Sequence, residues 1–72
     1  MNVQKRRGRP VDQPKPEQIK AAREAADLTQ TAAAGLVHVK LRTWQDWEYS
    51  KSAMPLGLWE LFLIKIGRRR GR

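Results

Sequence analysis

The sequence predicts a small all-α protein: a compact four-helix domain flanked by basic, disordered tails. Three observations lead to this prediction. The chain has 72 residues, enough for one domain. Apolar and alanine-rich segments recur at helical spacing between turn signals. We find no repeat and no strand signal. We assign residues 1–15 to a basic N-terminal arm, 16–67 to the domain and 68–72 to a basic C-terminal tail.

Positive charge is concentrated at the two ends of the chain. Fifteen Lys and Arg against seven Asp and Glu give a net charge of +8. Residues 1–9 and residues 68–72 each carry four basic side chains, whereas residues 10–67 carry seven basic and seven acidic ones. Blocks of like charge often bind polyanions, because each neutralised phosphate releases counterions. The alternative is that the tails only keep the protein in solution.

The composition argues against several classes of protein. There is no cysteine, and the single histidine, His38, builds neither a metal site nor a Ser-His-Asp arrangement. We find no nucleophile with a base and no phosphate-binding glycine loop, so we predict no enzyme, no cofactor and no metal. The apolar stretch 53–66 is too short to span a bilayer, and we see no secretory signal. We therefore expect a soluble cytoplasmic protein without membrane contact.

The first two predicted helices are short and rich in alanine. Pro16 suits the first helical position, and the helix that it begins turns Ile19 and Ala22 to one side. Thr29 is the predicted N-cap of a second helix over residues 30–37. No helix breaker follows, so the residues alone leave open whether a turn separates the second helix from the third.

Two helices rich in aromatic and apolar residues complete the domain. The third, residues 41–49, places Trp44 and Trp47 on one face, where aromatic residues are more often core than base-stacking groups. The fourth, residues 56–66 with Gly67 as its C-cap, is apolar nearly all round. A chain of this size cannot cover such a helix, so we predict a homodimer. The side chains that we expect to remain uncovered are Leu58, Trp59, Leu61, Phe62 and Ile66.

Two short motifs carry a resemblance to a known family: Leu28-Thr29-Gln30 and Trp47-Glu48. Glu48 lies eighteen residues after Gln30. Their type and spacing are similar to those of helix-turn-helix repressors of the Cro and lambdoid-repressor type, the Xre family. The resemblance covers roughly residues 16–66. It implies a turn at His38, in a left-handed backbone conformation that the family usually gives to glycine. It also implies that residues 41–49 form a recognition helix.

The resemblance further implies an ion pair inside the domain. Repressors of this family often pair an arginine of the first helix with the glutamate that closes the recognition helix. The matching residues in this sequence are Arg23 and Glu48. We expect them to form a partly buried salt bridge that ties the first helix to the third.

A recognition helix in the major groove implies a set of DNA contacts. Contacts to base edges are expected from Arg42 to guanine, Gln45 to adenine, Leu41 to a thymine methyl, and Asp46 to cytosine or to the orientation of Arg42. Contacts to phosphates are expected from Gln30 at the start of the second helix, and from Lys40, Thr43 and Lys51.

The N-terminal arm contains a second motif. Arg7-Gly8-Arg9-Pro10 resembles the core of an AT-hook. Narrow A/T-rich minor grooves attract arginine, and glycine lets the backbone lie deep in the groove. We expect a minor-groove arm formed by Arg6, Arg7, Gly8 and Arg9. The alternative is non-specific phosphate binding by the same arginines.

Together these features predict a small phage or prokaryotic transcriptional repressor that binds a palindromic operator in double-stranded DNA as a homodimer. Residues 41–49 would enter the major groove and residues 5–10 the minor groove, in a cytoplasmic protein associated with the nucleoid. One alternative is an antitoxin of the same fold, whose apolar fourth helix covers a toxin. Another is an RNA chaperone that uses the arginine-rich tails.

Overall fold

Four α-helices make up the part of the chain that a computed structural model describes, the backbone of residues 13–71 and the side chains of residues 13–68. The helices are α1 (Pro16–Ala25), α2 (Gln30–Leu36), α3 (Leu41–Glu48) and α4 (Leu56–Gly71). Over this range there is no strand, so the predicted all-α class is confirmed. Between residues 13 and 71, no helix has both the length and the apolar composition that crossing a membrane requires.

Local hydrogen bonds account for both ends of α1. The Gln18 Oε1 accepts a hydrogen bond from the backbone N–H of Lys15 at 2.8 Å and so closes the first turn. The chain leaves the helix through Asp27, whose φ of 60° lies in the left-handed region that aspartate tolerates. The Leu28 N–H then bonds to the Arg23 carbonyl at 3.1 Å, which directs the chain into α2.

α2 and α3 form a helix-turn-helix. The Thr29 hydroxyl accepts a hydrogen bond from the Ala32 N–H at 3.0 Å, so the predicted N-cap of α2 is confirmed. In the turn that follows, His38 has a φ of 62°, and the Val39 N–H bonds to the Ala34 carbonyl at 3.0 Å. The turn implied by the resemblance is confirmed. Periodicity alone missed it because a left-handed histidine leaves no mark on the apolar pattern.

Aromatic side chains of α3 and α4 fill the centre of the domain. Trp44 and Phe62 are fully buried with ring centroids 4.9 Å apart, and Trp47 meets Trp44 edge-on at 5.6 Å. Ala33 and Ala34 of α2 are buried too, and their small side chains let α3 pack closely. The assignment of Trp44 and Trp47 to the core is confirmed. The other buried apolar side chains are Ile19, Val37, Met54 and Ile66.

α4 is longer than the sequence predicts. It continues through Gly67, which we expected to end it, as far as Gly71. A glycine ends a helix when its backbone turns left-handed, and Gly67 does not adopt that conformation. Inside a helix, glycine costs only about 1 kcal/mol relative to alanine, and the arginines that follow are good helix formers. The helix therefore includes most of the segment 68–72 that we assigned to a tail.

α4 divides its apolar side chains between the core and the solvent. Phe62 and Ile66, which we expected to remain uncovered, are buried, and the Phe62 ring packs against Trp44 in the core. The half-buried members of the predicted surface are Leu58, Trp59 and Leu61. Leu63 and Ile64 are instead the exposed apolar side chains of α4, at 41% and 53%.

Candidate nucleic-acid interface

The solvent side of α3 carries the four residues that we assigned to base edges. α3 turns Trp44 and Trp47 into the core, so the helical period gathers the remaining positions on its other side. Leu41 and Arg42 are exposed there, and Gln45 and Asp46 are half-buried. We call the surface formed by Leu41, Arg42, Gln45 and Asp46 the reading face.

Arg42 and Asp46 form an exposed ion pair on the reading face. The Arg42 Nε lies 3.4 Å from the Asp46 Oδ1, one helical turn away, and the two side chains are 81% and 29% exposed. Such a pair contributes ~0–1 kcal/mol to stability. Within residues 13–68 no other hydrogen bond engages the Arg42 side chain. Asp46 thus holds the guanidinium through Nε and leaves its two terminal nitrogens available to a ligand.

Beneath the reading face, Arg23 of α1 and Glu48 of α3 form a buried ion pair. The Arg23 Nε donates to the Glu48 Oε2 at 2.7 Å and the Nη2 donates to Oε1 at 3.2 Å. The side chains are 12% and 2% exposed. The remaining Nη1 donates to the Leu28 carbonyl at 2.8 Å. The expected salt bridge between the first and third helices is confirmed, in the two-bond form that is strongest between arginine and a carboxylate.

Glu48 is the centre of a larger polar network. Besides Arg23, its carboxylate accepts hydrogen bonds from the Trp44 indole and, at 3.0 Å, from the Gln30 Nε2. Burial by itself raises the pKa of Glu48, but the hydrogen bonds from Arg23, Trp44 and Gln30 outweigh it and hold that pKa below its ordinary value. The hydrogen bond to Glu48 raises the pKa of Arg23. Both groups are therefore charged at neutral pH.

Gln30 connects this network to the reading face. Its Nε2 donates to Glu48 and, at 3.3 Å, to the Tyr49 hydroxyl, while its Oε1 accepts from the Gln45 Nε2 at 3.3 Å. From the sequence we expected Gln30 to contact a phosphate. In the structure its side chain bonds to three other residues of the domain, a role that the sequence did not predict.

The other residues assigned to phosphates flank or lie within α3. Lys40 is exposed just before the helix, Thr43 is half-buried within it, and Lys51 is exposed just beyond it. Ser50 has a φ of 65°, and this left-handed residue lets the Lys51 N–H bond to the Asp46 carbonyl at 2.8 Å. The two lysines therefore stand at opposite ends of α3.

Two further side chains, those of Tyr49 and Lys65, make polar contacts that the sequence did not predict. Tyr49 is 58% exposed, with its hydroxyl 3.3 Å from the Gln30 Nε2. Lys65 of α4 donates to the Leu36 carbonyl at 2.6 Å and lies 3.3 Å from the His38 Nε2, where a cation suits the C-terminus of α2. Their partners lie 19 and 29 residues away along the chain. The one available signal was the lysine itself, a charged residue in a largely apolar stretch of α4.

Most of the basic residues at the two ends of the chain lie outside the described side chains. The residues assigned to the minor groove, Arg6, Arg7, Gly8 and Arg9, lie outside the described residues. The side chains of Arg69, Arg70 and Arg72 do so as well. α3 and the residues that position it form the described part of the candidate interface.

Comparison with known proteins gives a short region of similarity. No protein-family model matches the chain. Over 40 residues, 56% of its length, the chain is 45% identical to the Type II methyltransferase M.MspI of Moraxella sp. The matched region is 10% of that methyltransferase, so the chain spans about a tenth of the length of this curated relative.

Proposed function

We propose that this chain is a sequence-specific regulator of transcription that binds double-stranded DNA, most simply a small phage or prokaryotic repressor of the cytoplasm. The observation that supports the proposal is the reading face. A guanidinium and a carboxamide stand on the solvent side of α3, while Trp44 and the Glu48 network hold its other side. The second helix of a helix-turn-helix, presented in this way, fits the major groove.

The side chains of the reading face match base edges. Arg42, held through Nε by Asp46, presents its terminal nitrogens to O6 and N7 of guanine. Gln45 pairs with adenine, and Leu41, at the first turn of α3, contacts a thymine methyl. Each good bidentate contact contributes ~1–3 kcal/mol of discrimination against the wrong base.

Two lysines, a threonine and the N-terminal arm supply affinity without sequence information. Lys40, Thr43 and Lys51 contact phosphates beside α3, and residues 5–10 enter the adjacent minor groove. Removal of residues 1–9 should therefore flatten the salt dependence of binding and abolish a preference for A/T-rich flanks. A truncated chain with full affinity and an unchanged salt slope would show that the arm is not a DNA ligand.

The proposed regulator is a homodimer on a palindromic operator. Leu63 and Ile64 are consecutive exposed residues of α4, and exposed apolar surface often marks an interface. A second copy that covers them would present two copies of α3 to successive half-sites. Light scattering at micromolar concentration should report two chains per particle. A monomer both on and off DNA would contradict the dimer.

Selection of bound duplexes from a random pool tests the proposal directly. The full chain should enrich an inverted repeat with a guanine and an adenine in each half-site. A pool from which nothing is enriched contradicts sequence-specific binding. A preference for single-stranded RNA over duplex DNA would favour the RNA chaperone instead.

A second candidate is an antitoxin of the same fold. The exposed pair Leu63 and Ile64 favours it as much as a homodimer, since a toxin would cover the same surface. Purified chain that is insoluble or monomeric alone, and stable only with a partner protein, would support this candidate. We propose a binding protein and not an enzyme, because a match confined to 10% of a methyltransferase lends no support to methyl transfer in this chain.

A further inference from the structure

Gln45 stands at the solvent end of a chain of hydrogen bonds that begins at the buried Glu48. We propose that these bonds, from Glu48 to Gln30 to Gln45, fix the orientation of the Gln45 amide and thereby make it specific for adenine. Glu48 and Gln30 are then positioning residues that select a base without contacting it. The inference rests on the proposed function, because it concerns how the same reading face chooses a base.

The chain of bonds has a direction because a carboxylate accepts hydrogen bonds and does not donate them. Glu48 is 2% exposed and charged through its pairing with Arg23. Its Oε1 lies 3.0 Å from the nitrogen of the Gln30 amide. Turning that amide over would place two acceptor oxygens face to face in a part-buried site, where an unsatisfied polar atom is costly. The Gln30 nitrogen must therefore face Glu48.

The hydrogen bonds of Gln30 determine in turn how the Gln45 amide of α3 is oriented. The two hydrogens of its Nε2 go to Glu48 and to the Tyr49 hydroxyl, at 3.0 and 3.3 Å. Its Oε1 remains to face Gln45 and accepts from the Gln45 Nε2 at 3.3 Å. Gln30 thus offers Gln45 an acceptor and no donor, so the Gln45 amide must turn its nitrogen toward α2.

Gln45 then presents an acceptor oxygen and one remaining N–H to a ligand. Among the side chains that the structure describes, no other hydrogen bond engages it. Adenine offers its N6 donor and N7 acceptor side by side in the major groove, which complement this pair. Guanine and thymine place acceptors there, and cytosine donates without an adjacent acceptor. A fixed amide therefore favours adenine, whereas a free amide could turn over to suit guanine.

The base preference can be measured by selecting bound duplexes from a random pool with the full chain. Gln45→Met should reduce the preference for adenine at one position per half-site by about tenfold and leave the other positions intact. If the position that changes holds guanine, thymine or cytosine in the parent site, the inference is overturned and the proposed function stands. If the parent chain enriches no duplex, both are overturned.

The sharper test replaces the acceptor that Gln30 offers to Gln45 with a donor. In Gln30→Lys, the ammonium donates to Glu48 and offers Gln45 only donors, so the Gln45 amide turns its oxygen inward and its nitrogen toward the DNA. We expect the preference to invert from adenine to guanine, again by about tenfold. In Gln30→Met the amide is released, and the two bases should be accepted within about threefold of each other. An adenine preference unchanged in both variants overturns the inference.

Tyr49→Phe is the matched control. It removes the more distant acceptor of Gln30 and leaves Glu48 in place, so the ratio of adenine to guanine should stay within about twofold of the parent chain. Loss of the preference in this control would assign the orientation to Tyr49 and overturn the role of Glu48. The ratio between bases is the diagnostic readout, because a general loss of stability weakens binding to every duplex alike.

Discussion

α3 carries two ion pairs that differ in their surroundings. Glu48 pairs with Arg23 in the interior, where the two side chains are 2% and 12% exposed. Asp46, two residues earlier, pairs with Arg42 on the reading face, where the exposures are 29% and 81%. The buried pair makes two bonds, at 2.7 and 3.2 Å, and the exposed pair makes one contact at 3.4 Å. One pair ties two helices together, and the other leaves its arginine open to a ligand.

The two ion pairs differ in function because they differ in their access to water. A charge that loses its partner in this part-buried site is reached by little water to replace it, so breaking the pair from one side costs ~3–5 kcal/mol. At the surface water and salt substitute for the partner, and the pair contributes ~0–1 kcal/mol. An arginine that the fold does not require, such as Arg42, is therefore free to serve recognition.

The largest effect is expected from breaking the buried pair. Arg23→Met leaves the carboxylate uncompensated and Glu48→Leu leaves the guanidinium uncompensated, so each should lower the free energy of unfolding by ~3–5 kcal/mol. The double substitution should recover much of the loss, because no lone charge remains. Urea unfolding of the three variants measures this. Shifts below ~0.5 kcal/mol in both single variants, as at an ordinary surface site, would contradict a buried pair.

Arg42→Ala, in contrast, should weaken DNA binding and leave the stability of the fold nearly unchanged. Binding to the operator is expected to weaken by ~1–3 kcal/mol with relaxed specificity at one guanine, while the free energy of unfolding changes by no more than ~0.5 kcal/mol. Titration of labelled duplexes followed by fluorescence anisotropy, beside urea unfolding, separates the two quantities. Equal weakening on operator and random duplex would instead make Arg42 a phosphate contact.

The buried pair should also make stability depend on pH. The pKa of Glu48 is lower in the folded domain than in the unfolded chain, so the unfolded chain takes up the proton first as the pH falls. The contribution of the pair is complete above the ordinary glutamate pKa of about 4.3 and is lost as the pH drops through the folded value. Urea unfolding at several pH values should show a flatter profile for Glu48→Gln. Parallel profiles for the two proteins would refute this linkage.

The smallest effect is expected from Asp46→Ala. Loss of the exposed partner should change the free energy of unfolding by no more than ~0.5 kcal/mol. With Asp46 absent, Arg42 loses its restraint, and the preference for guanine should fall by about threefold while affinity for all duplexes rises slightly. The same duplex titrations measure both quantities. A destabilisation as large as that of Arg23→Met would remove the distinction between the two pairs.

Several features of the site followed from residue pattern alone. The period of α3 separates Trp44 from Arg42 and Gln45, so the two faces of the helix were predictable before any contact was known. The turn at His38 required the resemblance, because nothing in its neighbours breaks a helix. The role of Gln30 was missed, since a glutamine at the start of a helix suits a phosphate equally well when its side-chain partners are unknown.

By itself, the sequence determined the class of fold, the N-cap at Thr29 and the charge of the two ends, because helix propensity, capping and net charge depend on residues close together in the chain. The tertiary structure decided that α4 uses Phe62 and Ile66 for the core and exposes Leu63 and Ile64. It also decided which way the amides of Gln30 and Gln45 point. That orientation depends on a carboxylate 18 residues from Gln30, and hydrogen bonds across such a separation form only when the helices have packed.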